Sequence, residues 1–144
     1  SNTLKSITKK KLLELPVAED MQMGMTLGLA MDGNVPISIF PRWNFLLYGV
    51  SQLVNHLDKF KVMSGNKLKP KMIIRTGVGS KRPLHPQFQH IGDFSDAIQK
   101  MCTSIEVVKL KEPRDIYQSY KKAYERKDGK NTILVEYGDF YNEK

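Results

Sequence analysis

The chain has a single cysteine, Cys102, in 144 residues, so it can close no internal disulfide, and it shows no cluster of Cys, His and carboxylates at the spacing of a structural metal site. It has no apolar run near the roughly 20 residues that span a bilayer, and its first residues, Ser1-Asn2-Thr3-Leu4-Lys5, lack the apolar core of a signal peptide. A cytoplasmic protein that does not enter a membrane is the expectation. Acid is missing from a long stretch: no Asp or Glu occurs between Asp58 and Asp93, where Lys59, Lys61, Lys67, Lys69, Lys71, Arg75, Lys81 and Arg82 all do. With 23 Lys plus Arg against 15 Asp plus Glu, a formal charge of +8 and a pI near 9.5, the sequence favours anionic partners. The acid-free stretch reads either as an electropositive strip near a ligand or as a solvated face.

What is present is the composition of a globular domain, 40% hydrophobic and 26% charged, at a length that supports one core rather than two. Glu19 to Asp32 reads as a helix stopped by Gly33, with Glu19 placed where a strand through Leu15-Pro16-Val17 would hand over to it. Carboxylates at such junctions commonly do chemistry in open α/β sheets. Gly24 and Gly28, one turn apart, each cost close to 1 kcal/mol in a helix, which suggests that they admit a closely approaching backbone. Val35 to Phe40 reads as a buried strand. Leu46, Leu47, Val50, Leu53, Val54 and Leu57 make one face of a helix over Trp43 to Lys59.

Lys71 to Arg75 is the next strand, and Thr76 to His90, with two Gly and two Pro, a long loop. A helix over Phe94 to Met101 and a strand over Ile105 to Leu110 follow. Pro113 opens a helix running to about Arg126, with Ile116, Tyr117, Tyr120, Ala123 and Tyr124 inward. A turn at Asp128-Gly129-Lys130 leads to a last strand, Thr132 to Glu136. Alternating strands and helices predict a three-layer α/β fold, a parallel sheet with helices on both faces.

Several strings, in order, resemble the pyrimidine-binding domain of thiamine diphosphate-dependent enzymes, the family of transketolase and the 2-oxoacid dehydrogenase beta subunits. They are Pro16-Val17-Ala18-Glu19 followed by Gly24, Gly28, Leu29, Ala30 and Gly33; Asn44-Phe45; Gln52-Leu53-Val54-Asn55; Ser64-Gly65; Pro70 with the strand to Arg75; and Ile105-Glu106-Val107-Val108. The likeness runs from about Leu13 to Glu136. It implies a basic N-terminal segment over 1–12 and a pyrimidine-binding domain over 13–144. It further implies that Glu19 is the catalytic glutamate, bonding a ring nitrogen of the aminopyrimidine and so activating the cofactor. Phe45 would pack on the pyrimidine face and Tyr48 line the same pocket. His90 would handle protons at the reacting carbon, with His85 as the competing candidate, and Arg42 would hold a substrate anion. From the residues alone, Glu19 can equally be an exposed first-turn acid, Phe45 a core ring, and His90 a loop histidine.

The likeness has gaps. A family domain begins with a strand and a helix ahead of the glutamate, where this sequence has only Ser1 to Leu12, and Ser51 stands where the dehydrogenase subunits usually have Asp. No Gly-Asp-Gly motif with a following Asn is present, so the ligands of the diphosphate and its magnesium are expected on a separate, alpha-type subunit. The resemblance thus implies half of each active site in a homodimer or heterotetramer, with an anionic sugar or 2-oxoacid as substrate for a transferase or oxidoreductase. Two other readings are a non-catalytic assembly subunit of the family and a basic α/β module for nucleic acid or another polyanion. The latter is disfavoured because aromatics are not interleaved with the basic residues.

Overall fold

The computed structural model describes residues 2–79 and 85–142; Lys81, Arg82 and Pro83, part of the acid-free stretch, lie outside them. Four strands form one all-parallel sheet: β1 (Ile37–Ile39), β2 (Ile73–Val78), β3 (Ile105–Leu110) and β4 (Asn131–Tyr137), in the spatial order β1-β2-β4-β3. Side-chain alternation divides the core. Ile74, Ile105, Ile133 and Val135 join Met23, Trp43, Leu46, Leu53, Leu57 and Ile98 on one face. Ile73, Leu110 and Leu134 join Ala123 on the other.

Which helix covers which face follows from the strand order. The steps β1 to β2 and β2 to β3 advance across the sheet, so right-handed crossovers put the helical run Trp43–Met63 and α4 (Ser95–Met101) on the first face. The step from β3 back to β4 reverses direction, and α5 (Asp115–Glu125) lands on the second face, against β3 and β4. Helices on both faces of a parallel sheet make the three-layer α/β fold. On the second face Ile37 and Ile39 of the edge strand β1 remain 50% and 36% exposed.

The helix from Glu19 is α1 (Glu19–Met31), and Gly33, at φ +87°, terminates it in a left-handed conformation that suits glycine. The strand expected ahead of Glu19 does not form. Residues 12–18 make no ladder, Pro16 has no N–H to give one, and Val17 is 93% exposed. The expected helix over Trp43 to Lys59 is a run of unlike pieces: α2 (Trp43–Leu46), a 3-10 turn (Leu47–Gly49), a π-helical stretch (Gln52–Leu57) and α3 (Asp58–Met63). Strand β2 reaches Val78, so the loop begins later than the glycines suggest. Helix α5 buries Ala123 and half-buries Tyr120, but Tyr117 and Tyr124 are 70% and 59% exposed, because a helix on one side of a sheet hides only a stripe. Among the described residues no helix is long and apolar enough to cross a membrane.

Candidate functional site

Arg42, Phe45 and His90 meet just past the carboxyl ends of β1 and β2, the end of an open parallel sheet where ligands bind, while Glu19 opens the helix seated on β1. Glu19 is the first residue of α1 and half-buried. That helix is seated on β1 by Gln22 Nε2, which donates to Ser38 Oγ and to the Ile39 carbonyl at 3.0 Å each, and by Thr26 Oγ1 to Ser38 Oγ at 3.1 Å. Its first turn meets the helical run at Gly49. A Cβ at Gly49 would stand 2.8 Å from Met23 Cγ and 3.4 Å from the Glu19 carbonyl oxygen. The close approach expected at Gly24 and Gly28 is therefore at Gly49: a Cβ on Gly24 would meet only the end of Gln52 at 4.0 Å, and one on Gly28 nothing within 4 Å.

Phe45 and His90 stack, ring centroids 5.2 Å apart with 19° between planes. The other histidine of the loop, His85, is exposed and accepts a hydrogen bond at Nδ1 from the Gln87 amide, 3.0 Å. Arg42 precedes α2, and its carbonyl oxygen accepts from the Phe45 amide at 3.2 Å. Its Nη1 donates to the carbonyls of Gly79 and of His90, the latter at 3.3 Å. The side chain expected to hold a substrate anion is thus engaged with two protein carbonyls. Tyr48, expected in the same pocket, is 73% exposed.

Among the described residues, four buried polar side-chain atoms have no hydrogen-bond partner: Trp43 Nε1, Asn44 Oδ1, Thr76 Oγ1 and His90 Nδ1. They belong to the start of α2, to β2 and to the segment against Phe45. Downstream of His90, Asp93 anchors the chain. Its carboxylate accepts from the Ser95 amide at 3.0 Å and from the Ser95 hydroxyl, and it pairs with Lys109 at 3.2 Å. Burial alone would raise its pKa, but the Ser95 and Lys109 bonds outweigh that and hold it below the usual range.

Sequence reasoning missed Asp58, which is 1% exposed. Its Oδ1 accepts from the amides of Thr103 and Ser104 at 2.7 and 2.6 Å, and its Oδ2 from Lys59 Nζ at 2.6 Å. No local signal could reveal partners 45 and 46 positions away. The basic strip is not a uniform patch. Lys59 pairs with Asp58, Lys61 reaches the Asp128 carbonyl at 3.4 Å, Lys71 the Tyr124 carbonyl at 2.6 Å, and Arg75 pairs with Glu136 at 2.6 Å.

No protein-family model matches the chain. It is similar to the pyruvate dehydrogenase E1 component subunit beta of Chaetosphaeridium globosum, 35% identical over 74 residues, which are 51% of this chain and 23% of that protein. The same subunit of Gracilaria tenuistipitata var. liui is 27% identical over 135 residues, 93% of this chain and 40% of the relative. The beta subunit of acetoin:2,6-dichlorophenolindophenol oxidoreductase of Cupriavidus necator is 30% identical over 89 residues, 56% and 26% of the two chains. The chain spans well under half the length of these relatives. These matches and the all-parallel sheet make the chain similar to E1 beta subunits, members of the thiamine diphosphate-dependent, transketolase-like family that its sequence strings resemble.

Proposed function

We propose that this chain is the pyrimidine-binding half of a thiamine diphosphate-dependent enzyme acting on a 2-oxoacid or an anionic sugar, completed by an alpha-type subunit that binds the diphosphate and magnesium. The observation that carries it is the likeness to E1 beta subunits over a stretch that includes Glu19, Phe45 and His90, joined to the meeting of Phe45 with His90 at the carboxyl end of the sheet. The residues present fit the aminopyrimidine. Phe45 already accepts a flat heteroaromatic ring, that of His90, in stacked geometry, and the buried unpaired atoms of Asn44 and His90 suit a polar ring.

On this reading Glu19 holds a ring nitrogen of the aminopyrimidine and shares a proton with it. Phe45 supports the ring's flat face, and Tyr48 lies at the rim, where a second subunit would cover it. His90 gives and takes a proton near the reacting carbon. When bound, the cofactor supplies the electron sink for cleaving the bond beside the substrate carbonyl. The protein supplies orientation and exclusion of water.

Calorimetry with thiamine diphosphate and magnesium, on this chain, on a candidate alpha-type subunit and on their mixture, tests the proposal. Binding by the mixture alone is expected, and Glu19→Gln in the assembled enzyme should cut turnover by about 100-fold or more while leaving the unfolding midpoint in place. Undiminished turnover in Glu19→Gln, or no cofactor binding in any combination, would overturn it, the second result in favour of a non-catalytic assembly subunit.

A further inference from the structure

The contacts of Arg42 point away from the anion-binding role that its position suggests. We infer that Arg42 is a positioning residue: it fixes the Phe45–His90 stack from both sides, holding Phe45 through its backbone and His90 through its guanidinium. The backbone part is the start of α2, where the Arg42 carbonyl accepts from the amides of Phe45 and Leu46 at 3.2 and 3.4 Å. The side-chain part is Nη1, which donates to the carbonyl of His90 at 3.3 Å and to that of Gly79, at the end of β2. One half-buried cation thus ties the entry of α2, the exit of β2 and the segment carrying His90.

The clamp matters because, among the described residues, little else fixes that imidazole. A histidine that moves protons usually has its other ring nitrogen held by a carbonyl or carboxylate, but His90 Nδ1 is buried and without a partner among the described residues. The segment's own bonds are short-range: His90 N to the Gln87 carbonyl at 3.4 Å, and Gln87 N to His85 Nδ1 at 3.0 Å. Gln87 sits at φ +61°, ψ −179°, a conformation that a residue with a Cβ adopts only when its surroundings enforce it. The next anchor comes at Asp93. A lysine at position 42 would carry the charge, but its side chain ends one bond short of Nη1, the single atom that donates to both carbonyls.

The structural claim is tested on the chain alone, without any cofactor. In Arg42→Met, which keeps the apolar stem, backbone amides over 85–92 should exchange at least about tenfold faster, the scale of a lost charge-assisted bond to a carbonyl. The ring-current shift of the His90 imidazole protons should shrink toward that of His85, while β2 and β4 amides keep their protection. Arg42→Lys should restore only part of both signals. Wild-type exchange and an unchanged His90 shift in Arg42→Met would overturn the inference. Should Arg42→Met unfold, Arg42→Lys read by the same two signals decides it.

The consequence for catalysis rests on the function proposed above. In the assembled enzyme Arg42→Met should lower kcat and move the pH profile with KM little changed, whereas an anion-binding arginine would raise KM. If the assembled enzyme shows no cofactor chemistry, the exchange and imidazole measurements still stand, so the two ideas fail separately.

Discussion

Removing the buried Asp58 carboxylate should destabilise the fold clearly, and the contacts say how the loss divides. Asp58 Oδ1 receives the amides of Thr103 and Ser104 at 2.7 and 2.6 Å and the Ser104 hydroxyl at 3.0 Å. In Asp58→Ala the two amides lose their partner at a partly buried site, which costs about 1 to 1.5 kcal/mol each, and the vacated space adds a little more, for about 3 kcal/mol in all. Lys59, whose side chain is 45% exposed, adds less as a solvent-screened ion pair, so Lys59→Ala should be mild and Asp58→Asn intermediate. In a chain of this length 3 kcal/mol lowers the melting midpoint by about 10 °C.

The pH dependence has a definite sign. Burial alone would raise the Asp58 pKa, but the bonds from Lys59, Ser104 and Thr103 together hold it below 3.8. A carboxylate depressed in the folded state contributes fully above its unfolded value, and that contribution disappears as the pH falls through the folded one. Urea titrations of wild type and Asp58→Ala should therefore differ most at neutral pH, and the gap should narrow as the pH falls below 3.8. A Lys59→Ala loss equal to that of Asp58→Ala would refute the argument, since the ion pair rather than the amides would then be the anchor, and so would a gap that does not narrow in acid.

The glycines of the first layer give a contrasting pair. Gly49→Ala places a Cβ 2.8 Å from Met23 Cγ and should cost about 1 to 2 kcal/mol in urea unfolding while lowering cofactor turnover, because the strained contact is the seat of Glu19's turn; Gly28→Ala, with open space around it, should leave the isolated chain as stable or up to about 1 kcal/mol more so. Cys102 is 4% exposed, and burial followed by the nearby Asp58 charge pushes its thiol to about 11. The folded chain should resist iodoacetamide at pH 8 and react once unfolded in urea, a contrast that mass spectrometry reads directly.

How much of this could be read in the sequence depended on whether the cause was local. Ile105 to Leu110 is a strand in both readings, because an apolar run with β-branched residues between polar turns has few other options. The stop at Gly33 was legible for the same reason. The strand before Glu19 was not, since a ladder needs a neighbour, and Pro16 and the exposed Val17 show that no described segment offers one. The uneven run Trp43–Met63 keeps its inward face through α-helical, 3-10 and π-helical turns, so apolar spacing identified the face and hid the change of pitch. Roles set by distant contacts were invisible: Asp58 answers Thr103 and Ser104, and Arg42 answers Gly79 and His90. The acid-free stretch misled in a related way, because the acids that partner Lys59 and Arg75 are Asp58, just outside it, and Glu136, far beyond it.

The exposure pattern bears on why the proposed site would need a second subunit. Enzyme pockets bury most of a cofactor's surface, yet the residues that would frame this one grade outward from the core: Trp43 is 0% exposed, Phe45 is half-buried, and Tyr48, one turn beyond Phe45, is 73% exposed. Glu19 lies on the same gradient, with Met23 fully buried one turn on and Val17 93% exposed two residues before. A chain that closed its own pocket would turn this rim inward or cover it with a loop. Here the helical run that carries Phe45 is anchored at its far end through Asp58, its entry is clamped by Arg42, and among the described residues its outer side is left open. Rigid placement of the inner residues combined with an open rim is what the proposed half-site would require, because a partner would supply the missing wall and not the order of the residues already in place.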